Sequence, residues 1–223
     1  MVPGYKAVVI DGKKYLSGKG RKPEGRGGRR SKMQEKTIQL RSGQVLLLRQ
    51  VHPEDARAML NYLERTSAET HFMVRLPEEV TFSLAEEQAL LADCLSSDRR
   101  IMLAAFAGDC IVGNVAIAPV GERYKVRHRA NLGIAIVQEY CNCGLGTILM
   151  QEGIAFAGEA GYEQAELGVF ADNAPAIHLY HKCGFRDTGR IPRAFHLPDG
   201  SCIDEIQMVK FLTPPDITYG VNG

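Results

Sequence analysis

Residues 144–147 have the composition and position of a phosphate-binding turn. Gly144-Leu145-Gly146-Thr147 follows an apolar, strand-length segment at 128–137 and precedes an amphipathic helical pattern. Glycine lets the backbone turn tightly and approach a ligand, and the first amides of a helix point along the positive end of its dipole. The pattern predicts a phosphate cradle, although a G-x-G pair also occurs in ordinary loops and at helix ends.

Two familiar nucleotide motifs do not fit this segment. No Lys-Ser or Lys-Thr pair follows the glycines, so the segment is not a Walker A loop. The third glycine of the dinucleotide-binding fingerprint is replaced by Leu149. The turn alone therefore does not identify its ligand, and the residues on either side of it are needed for that.

The six cysteines do not indicate a metal site. No two of them have CxxC spacing, and Cys141 and Cys143 are separated by one residue, which is too close for the usual zinc pair. We therefore expect no metal and reduced thiols.

Length and composition favour one enzyme-sized domain. The chain has 223 residues, of which 45% are hydrophobic and 24% charged. Its longest apolar run, Ile101 to Ala107, is far short of the roughly 20 residues that span a bilayer. The apolar stretch at 7–10 leads directly into charged residues, unlike a secretory signal. We expect a cytoplasmic protein with no membrane contact.

The formal charge of +1 is divided unevenly along the chain. Residues 1–32 carry ten Lys and Arg against two acids, whereas the remainder carries 17 against 24. We expect residues 1–34 to be a basic, Gly-rich, disordered extension, because Gly18 to Lys32 has little apolar surface to bury. The extension could bind RNA or another polyanion. The simpler interpretation, which we favour, is solvated chain, or sequence upstream of a start at Met33.

Hydrophobic periodicity and turn residues predict a layered α/β (α+β) domain. A strand at 45–49 precedes two helices, the first entered at Pro53 and the second through a Ser83–Glu86 capping box. Leu84, Leu91 and Leu95 define the predicted buried face of the second helix. The later elements are strands at 101–107, 110–118 and 128–137, a helix from 145, a strand at 164–170, a helix at 173–181, and strands at 185–189 and 202–211.

Two motifs in this order resemble the GNAT N-acetyltransferase superfamily. The run from Ile134 to Gly146 is similar to its acetyl-coenzyme A motif, Arg/Gln-x-x-Gly-x-Gly/Ala. About thirty residues later, Asn173-x-x-Ala176-x-x-Leu179-Tyr180-x-x-x-Gly184-Phe185 is similar to its second motif. The resemblance implies one domain at 35–213, with a central mixed sheet of about seven strands, about four helices and splayed strands at the cofactor site. Residues 214–223 would form a tail.

The resemblance also implies a set of cofactor contacts. Acetyl-CoA would bind as co-substrate through two stretches of backbone, one holding the pantetheine arm and one the pyrophosphate. The pantetheine stretch is Ile136, Val137 and Gln138; the pyrophosphate stretch is Cys141, Asn142, Cys143, Gly144, Leu145, Gly146 and Thr147. Asn173 would contact the cofactor arm, although an N-cap explains it equally well.

Tyr180 matches the position of the family's usual acid, which gives a proton to the departing thiolate. A phenol is protonated at neutral pH and suits that task. A core aromatic residue is the alternative interpretation of Tyr180.

The first motif departs from the family at Cys141, where Arg or Gln is usual. Asn142 and Cys143 follow in place of the commoner Gly and Lys or Arg, so the loop has lost side-chain positive charge. We expect weaker cofactor binding rather than none, because backbone amides remain. A thiol beside a helix N-terminus can become reactive, but two inert small residues are the simpler interpretation.

The base and the acceptor are less well defined by the sequence. Glu69, Glu78, Glu79 and Glu139 are candidate bases, a water relay is an alternative, and Glu69 is also the candidate for substrate contact. The acidic body favours a cationic or amine acceptor.

Two functions follow as hypotheses. The first is acetyl transfer from acetyl-CoA to a primary amine of a small molecule or protein by direct attack in a ternary complex, because no Cys-His or Ser-His nucleophile is evident. The second is an inactive acyl-CoA sensor, or a module tethered to RNA by the basic arm. Dimers are common in the family, so the resemblance also implies a homodimer as one partner arrangement.

Overall fold

The computed structural model describes residues 5–10, 13–18 and 35–212 of the chain. Its strands are β1 (Tyr5–Ile10), β2 (Lys13–Gly18), β3 (Lys36–Gln39), β4 (Val45–Gln50), β5 (Ile101–Ala107), β6 (Cys110–Pro119), β7 (Arg129–Ile136), β8 (Gln164–Phe170), β9 (Arg186–His196) and β10 (Cys202–Phe211). Its α-helices are α1 (Ala56–Glu69), α2 (Leu84–Leu95), α3 (Leu145–Glu159) and α4 (Ala174–Lys182).

Eight strands form one mixed sheet in the order β3-β4-β5-β6-β7-β8-β10-β9. Neighbouring strands are antiparallel except β7 and β8, which are parallel and joined through α3. The predicted hairpin at Gly108-Asp109 joins β5 to β6, and Gly108 has a φ of 58°. This is the predicted mixed α/β domain, with one more strand in the sheet than the predicted seven.

The helices begin where the sequence carries capping residues. A short 3-10 turn from Pro53 to Asp55 leads into α1. Ser83 Oγ accepts a hydrogen bond from the N–H of Glu86, and the Glu86 carboxylate accepts one from the N–H of Ser83, which confirms the capping box of α2. Asn173 caps α4 through the N–H of Ala176.

Two hydrophobic layers cover the two faces of the sheet. On one face, α1 and α2 pack with Met102, Ala104 and Phe106 of β5. On the other, α3 and α4 pack with the alternate residues Leu103 and Ala105. The sheet is thus covered on both faces, and the central strand β5 is accordingly apolar at every position.

Several predicted segments differ from the structure or lie outside the described residues. The four-residue strand β3 is not predicted by the sequence pattern, and β9 extends beyond the predicted end at Gly189 as far as His196. Strands β1 and β2 pair with each other within the predicted basic extension. The rest of that extension and the predicted tail at 214–223 lie outside the described residues. Among the described residues, no helix is both long and apolar enough to cross a membrane.

The packing of α3 on the sheet gives a direct stability test. Leu149 is fully buried at that interface, so Leu149→Ala should lower the free energy of unfolding by about 2–5 kcal/mol through lost contacts and a cavity. Urea denaturation measures the change. Leu47→Ala, at a side chain that is 37% exposed, is the matched control and should change stability much less. Equal losses in the two variants would contradict this packing.

Candidate active site

Strands β7 and β8 separate after a short region of pairing. Their parallel register covers Arg129–Asn131 against Gln164–Glu166, while β7 continues to Ile136 paired with β6. The N–H of Val137 donates to the carbonyl of Val112 at 3.0 Å. Because antiparallel hydrogen bonding alternates, the backbone groups of Ile134 and Ile136 point away from β6 and into the gap. This gap is the predicted splay, and it offers amide donors and acceptors along one strand edge.

The turn before α3 closes the end of this gap. Asn142 and Gly144 have φ angles of 61° and 96°, and α3 begins at Leu145. Asparagine and glycine tolerate this left-handed conformation better than other residues. The first amides of α3 lack partners within the helix and carry its positive dipole end. The predicted cradle is therefore formed by backbone groups.

Gly146 permits a close approach of three elements. A Cβ atom at this position would lie 2.9 Å from Leu179 Cδ2 of α4 and 3.3 Å from Ile136 Cδ1 of β7. Any larger residue must displace one of them. The glycine therefore lets the N-terminus of α3 sit directly against the end of β7.

The two loop cysteines contact backbone carbonyl groups. Cys141 Sγ contacts the carbonyls of Ile136 and Val137 at 3.9 and 3.7 Å, and Cys143 Sγ donates to the carbonyl of Tyr140 at 2.8 Å. Burial, with smaller contributions from Cys143 and Glu69, raises the pKa of the Cys141 thiol above its ordinary value. A neutral thiol is a poor nucleophile, so this geometry favours the inert interpretation of Cys141.

Glu69 has a structural contact at the end of β7. One carboxylate oxygen accepts the N–H of Gln138 at 2.7 Å, and the other accepts from Arg65 Nε at 2.8 Å. Arg65 also reaches Glu139 at 3.3 Å. In this structure the Gln138 amide is thus engaged by Glu69, and that of Val137 by β6. Of the three predicted pantetheine positions, Ile136 is the one with backbone groups in the gap.

Tyr180 lies in α4 and is buried. Its ring centroid is 6.2 Å from that of Phe185, and it belongs to the same hydrophobic cluster as Ile136 and Leu145. The residue is therefore on the α3 and α4 side of the sheet, the side of the cradle. Asn173, at the start of the same helix, has its side-chain oxygen committed to the cap.

Aromatic residues lie on the β8 side of the gap, at the end of that strand. Phe170 stacks on Phe195 of β9 with ring centroids 3.7 Å apart, and Phe72 meets Phe170 edge-on. His71 Nε2 and Asp172 Oδ2 are 2.8 Å apart, which ties the loop after α1 to the loop after β8. These contacts join the loop after α1 to the β8 side of the gap.

A cavity on the α1 and α2 face reaches the same stretch of β7. Its volume is about 60 Å³, and its walls include Tyr62 of α1, Glu87 of α2, Arg75 and residues 133–135 of β7. The Tyr62 hydroxyl donates to the Ala135 carbonyl at 2.7 Å. Residues 133–135 of β7 line this cavity, and they lie beyond the last position at which β7 pairs with β8. The cavity and the gap therefore meet at the same segment of β7.

Glu87 is the acid of this cavity. Its side chain is only 2% exposed, and burial raises its pKa to about 7 against the opposing charge of Arg75. Carboxyl groups whose pKa is raised this far by burial are enriched at functional sites, and this one also borders a cavity. By contrast, Glu78, Glu79 and Glu139 are exposed, and the Glu79 carboxylate accepts the N–H of Leu76.

Sequence reasoning missed Glu87, although a signal was present. Periodicity predicts Leu84, Leu91 and Leu95 on the buried face of α2, but Leu84 is 36% exposed, and the buried residues of this helix are Glu87, Leu91 and Cys94. These three positions follow helical spacing. A carboxylate on the apolar stripe of an otherwise amphipathic helix was the available indication.

Comparison with known proteins identifies the family to which this fold belongs. Residues 56–185 match the acetyltransferase (GNAT) family. The chain belongs to this family. It is similar to L-amino acid N-acetyltransferase AaaT of Escherichia coli (strain K12), with 34% identity over 110 residues, which are 49% of this chain and 66% of that protein. The matched region is thus slightly less than two thirds of that relative.

Solved GNAT structures have the same architecture. A GNAT-family acetyltransferase from Streptococcus pneumoniae is 35% identical, with a TM-score of 0.72 over 74% of this chain and 99% of that one. The structure of yncA from Salmonella typhimurium, solved with its cofactor acetyl-CoA, is 17% identical, with a TM-score of 0.68 over 77% of this chain and 96% of that one. At that identity the likeness is one of fold.

The site of this GNAT chain fits acetyl-CoA by its own geometry. The gap offers the backbone groups of Ile134 and Ile136 to an amide-bearing arm, and the start of α3 offers amides to a phosphate. In the described part of the chain, no group of three or more His, Cys, Asp or Glu residues is arranged to hold a metal ion.

The buried Glu87 makes stability depend on pH. Its folded pKa of about 7 lies above the ordinary 4.5, so ionisation costs stability progressively as the pH rises from about 4.5 to about 7. Relative to Glu87→Gln, the wild type should lose about 2–3 kcal/mol of unfolding free energy between pH 5 and pH 8. Urea denaturation of both proteins at both pH values measures this. Glu64→Gln, at an exposed position of α1, should track the wild type. A constant difference between wild type and Glu87→Gln would contradict the burial argument.

Proposed function

We propose that this protein transfers the acetyl group of acetyl-CoA to a primary amine by direct attack in a ternary complex. The observation that carries the proposal is the shared segment of β7: the gap and the α3 cradle reach it from one side, and the cavity of Glu87 reaches it from the other. Two reactants could therefore meet across one strand edge. Such alignment supplies much of the rate enhancement in bimolecular transfer.

The cofactor would be held mainly by the backbone. Ile134 and Ile136 would hydrogen-bond the pantetheine arm, and residues 142–147 would bind the pyrophosphate at the α3 N-terminus. The Gln138 amide would become available only if Glu69 moved away. Bound acetyl-CoA supplies the thioester whose C–S bond breaks as the C–N bond to the acceptor forms.

The acceptor would enter the cavity on the α1 and α2 face. A volume of about 60 Å³ is small beside a drug-sized site, so it suits the amine end of a molecule. Arg75 and Glu87 give its walls one cation and one anion, which complement an amino acid. The similarity to an enzyme named for L-amino acids also favours the α-amino group of a small L-amino acid as acceptor.

Two side chains would exchange protons during the transfer. Glu87 would take a proton from the acceptor's ammonium group, which frees the nitrogen lone pair for attack. Tyr180 would give its phenolic proton to the departing sulfur. The second proton lost by the nitrogen would restore the phenol, and Glu87 would release its proton to solvent. A base with a pKa of about 7 is well matched to this task at neutral pH.

Tyr180→Phe tests the acid. The variant keeps the ring that packs near Phe185 but lacks the proton, so kcat should fall about 10²-fold with little change in KM. Release of coenzyme A thiol in the presence of an amine and acetyl-CoA measures the rate. Tyr124→Phe, at a ring that is 78% exposed, is the control. An unchanged kcat in a folded Tyr180→Phe variant would exclude Tyr180 as the acid.

Glu87→Gln tests the base through the pH profile. In the wild type, kcat/KM should rise as the pH increases through about 7, because the carboxylate is the active form. The variant should be slower by about 10²-fold and lack this step. Glu64→Gln should retain it. A Glu87→Gln variant that kept the same rise would show that another group accepts the proton.

An amine panel separates catalysis from sensing. The panel contains L-amino acids, polyamines and peptides with free N-termini or lysines, each followed by thiol release. Turnover with any of them supports an enzyme, and turnover with small L-amino acids supports the proposed acceptor class. Tight acetyl-CoA binding without turnover for every amine would instead favour the sensor hypothesis.

A further inference from the structure

The pyrophosphate loop carries no cationic side chain of its own. From Gln138 to Thr147 the sole charged residue is the acid Glu139. The side chains of this loop therefore do not attract a negatively charged phosphate, and only its backbone amides do. A compensating cation, where one exists, must come from another element.

The turn between β3 and β4 brings such a cation to the loop. This turn is closed by the N–H of Leu40 donating to the Gln44 carbonyl at 2.8 Å, and the N–H of Arg41 donates to the Cys143 carbonyl at 3.2 Å. The Arg41 side chain then lies across Gly144: its Cγ, Nε and Cδ atoms are 3.7, 3.7 and 3.9 Å from the point a Cβ of Gly144 would occupy. The exposed Arg41 side chain thus lies beside the N-terminus of α3.

This location is unfavourable for an arginine unless an anion is also present. The N-terminus of a helix carries partial positive charge, so a cation beside it is repelled. Within residues 35–212, no acidic side chain forms an ion pair with Arg41. A phosphate bound at the same helix end would offset this repulsion, because its negative charge would attract both the positive end of the helix dipole and the guanidinium group.

We propose that Arg41 supplies the side-chain positive charge for the pyrophosphate of coenzyme A, in place of the charge missing at Cys141. The inference rests on the proposed function, because it assumes that the α3 cradle binds coenzyme A. It adds a binding residue from an element about 100 positions away in the chain, outside both motifs.

Calorimetric titration with coenzyme A tests the proposal without turnover. Arg41→Ala should raise the dissociation constant about tenfold, as expected for loss of one charge-assisted contact, and should weaken its salt dependence. Arg123→Ala removes an exposed arginine at the opposite end of β7 and should leave the dissociation constant unchanged. Arg41→Ala binding as tightly as the wild type would overturn the proposal.

Two further variants and one further ligand sharpen the test. Cys141→Arg in the Arg41→Ala background should restore most of the lost affinity, because it returns the charge to the same phosphate. Dephospho-coenzyme A, which keeps the pyrophosphate, should show the same tenfold loss in Arg41→Ala. A loss that disappears with this ligand would assign Arg41 to the 3′-phosphate and overturn the pyrophosphate contact.

Stability separates a ligand-binding role from a structural one. The apo Arg41→Ala variant should unfold at the same temperature as the wild type or slightly higher, because it removes a repulsion. A clear loss of apo stability would make Arg41 a structural residue and contradict the proposal. Absence of coenzyme A binding in the wild type would overturn the proposed function as well, whereas wild-type binding with an unaffected Arg41→Ala overturns this inference alone.

Discussion

The separation of β7 from β8 is the constraint on which the rest of the structure depends. After three paired positions the two strands diverge, and the backbone groups of β7 beyond Asn131 lose their partners on that side. Unpaired backbone groups inside a domain are costly unless water or a ligand satisfies them. A sheet that is otherwise continuous thus has one internal edge. This edge is where a ligand can gain hydrogen bonds without disrupting the fold.

The surrounding elements hold the divergence in place from both faces. On one face, Gly146 allows α3 to touch β7 and α4 together. On the other, the Tyr62 hydroxyl is bonded to the Ala135 carbonyl and fixes α1 to the same strand. The segment of β7 at these contacts is held from both faces, and both the gap and the cavity of Glu87 reach it. Rigid positioning of two openings on one strand is what a transfer reaction between two bound molecules requires.

Sequence reasoning found the parts of the site that depend on local signals. The Ser83 cap, the Asn173 cap, the Gly108-Asp109 hairpin and the strand at Gln164–Phe170 follow from capping and turn chemistry, and the motif resemblance located the cradle. Sequence reasoning failed where contacts between distant parts of the chain determine which residues are buried or paired. Strand β3 has only four residues, helical periodicity predicts Leu84 rather than Glu87 on the buried face of α2, and the contact of Arg41 with Cys143 joins distant parts of the chain. Periodicity indicates that a face is buried; it does not indicate that a carboxylate on that face borders a cavity.

Residue-resolved hydrogen exchange with and without coenzyme A tests the central claim, that the separated edge of β7 and the start of α3 are the cofactor site. The amides of Ile134, Ile136 and residues 142–147 should exchange more slowly when coenzyme A is bound. The loop at 120–128, at the opposite end of β7, should be unaffected. Protection confined to other segments, with these amides unchanged under saturating coenzyme A, would contradict the account.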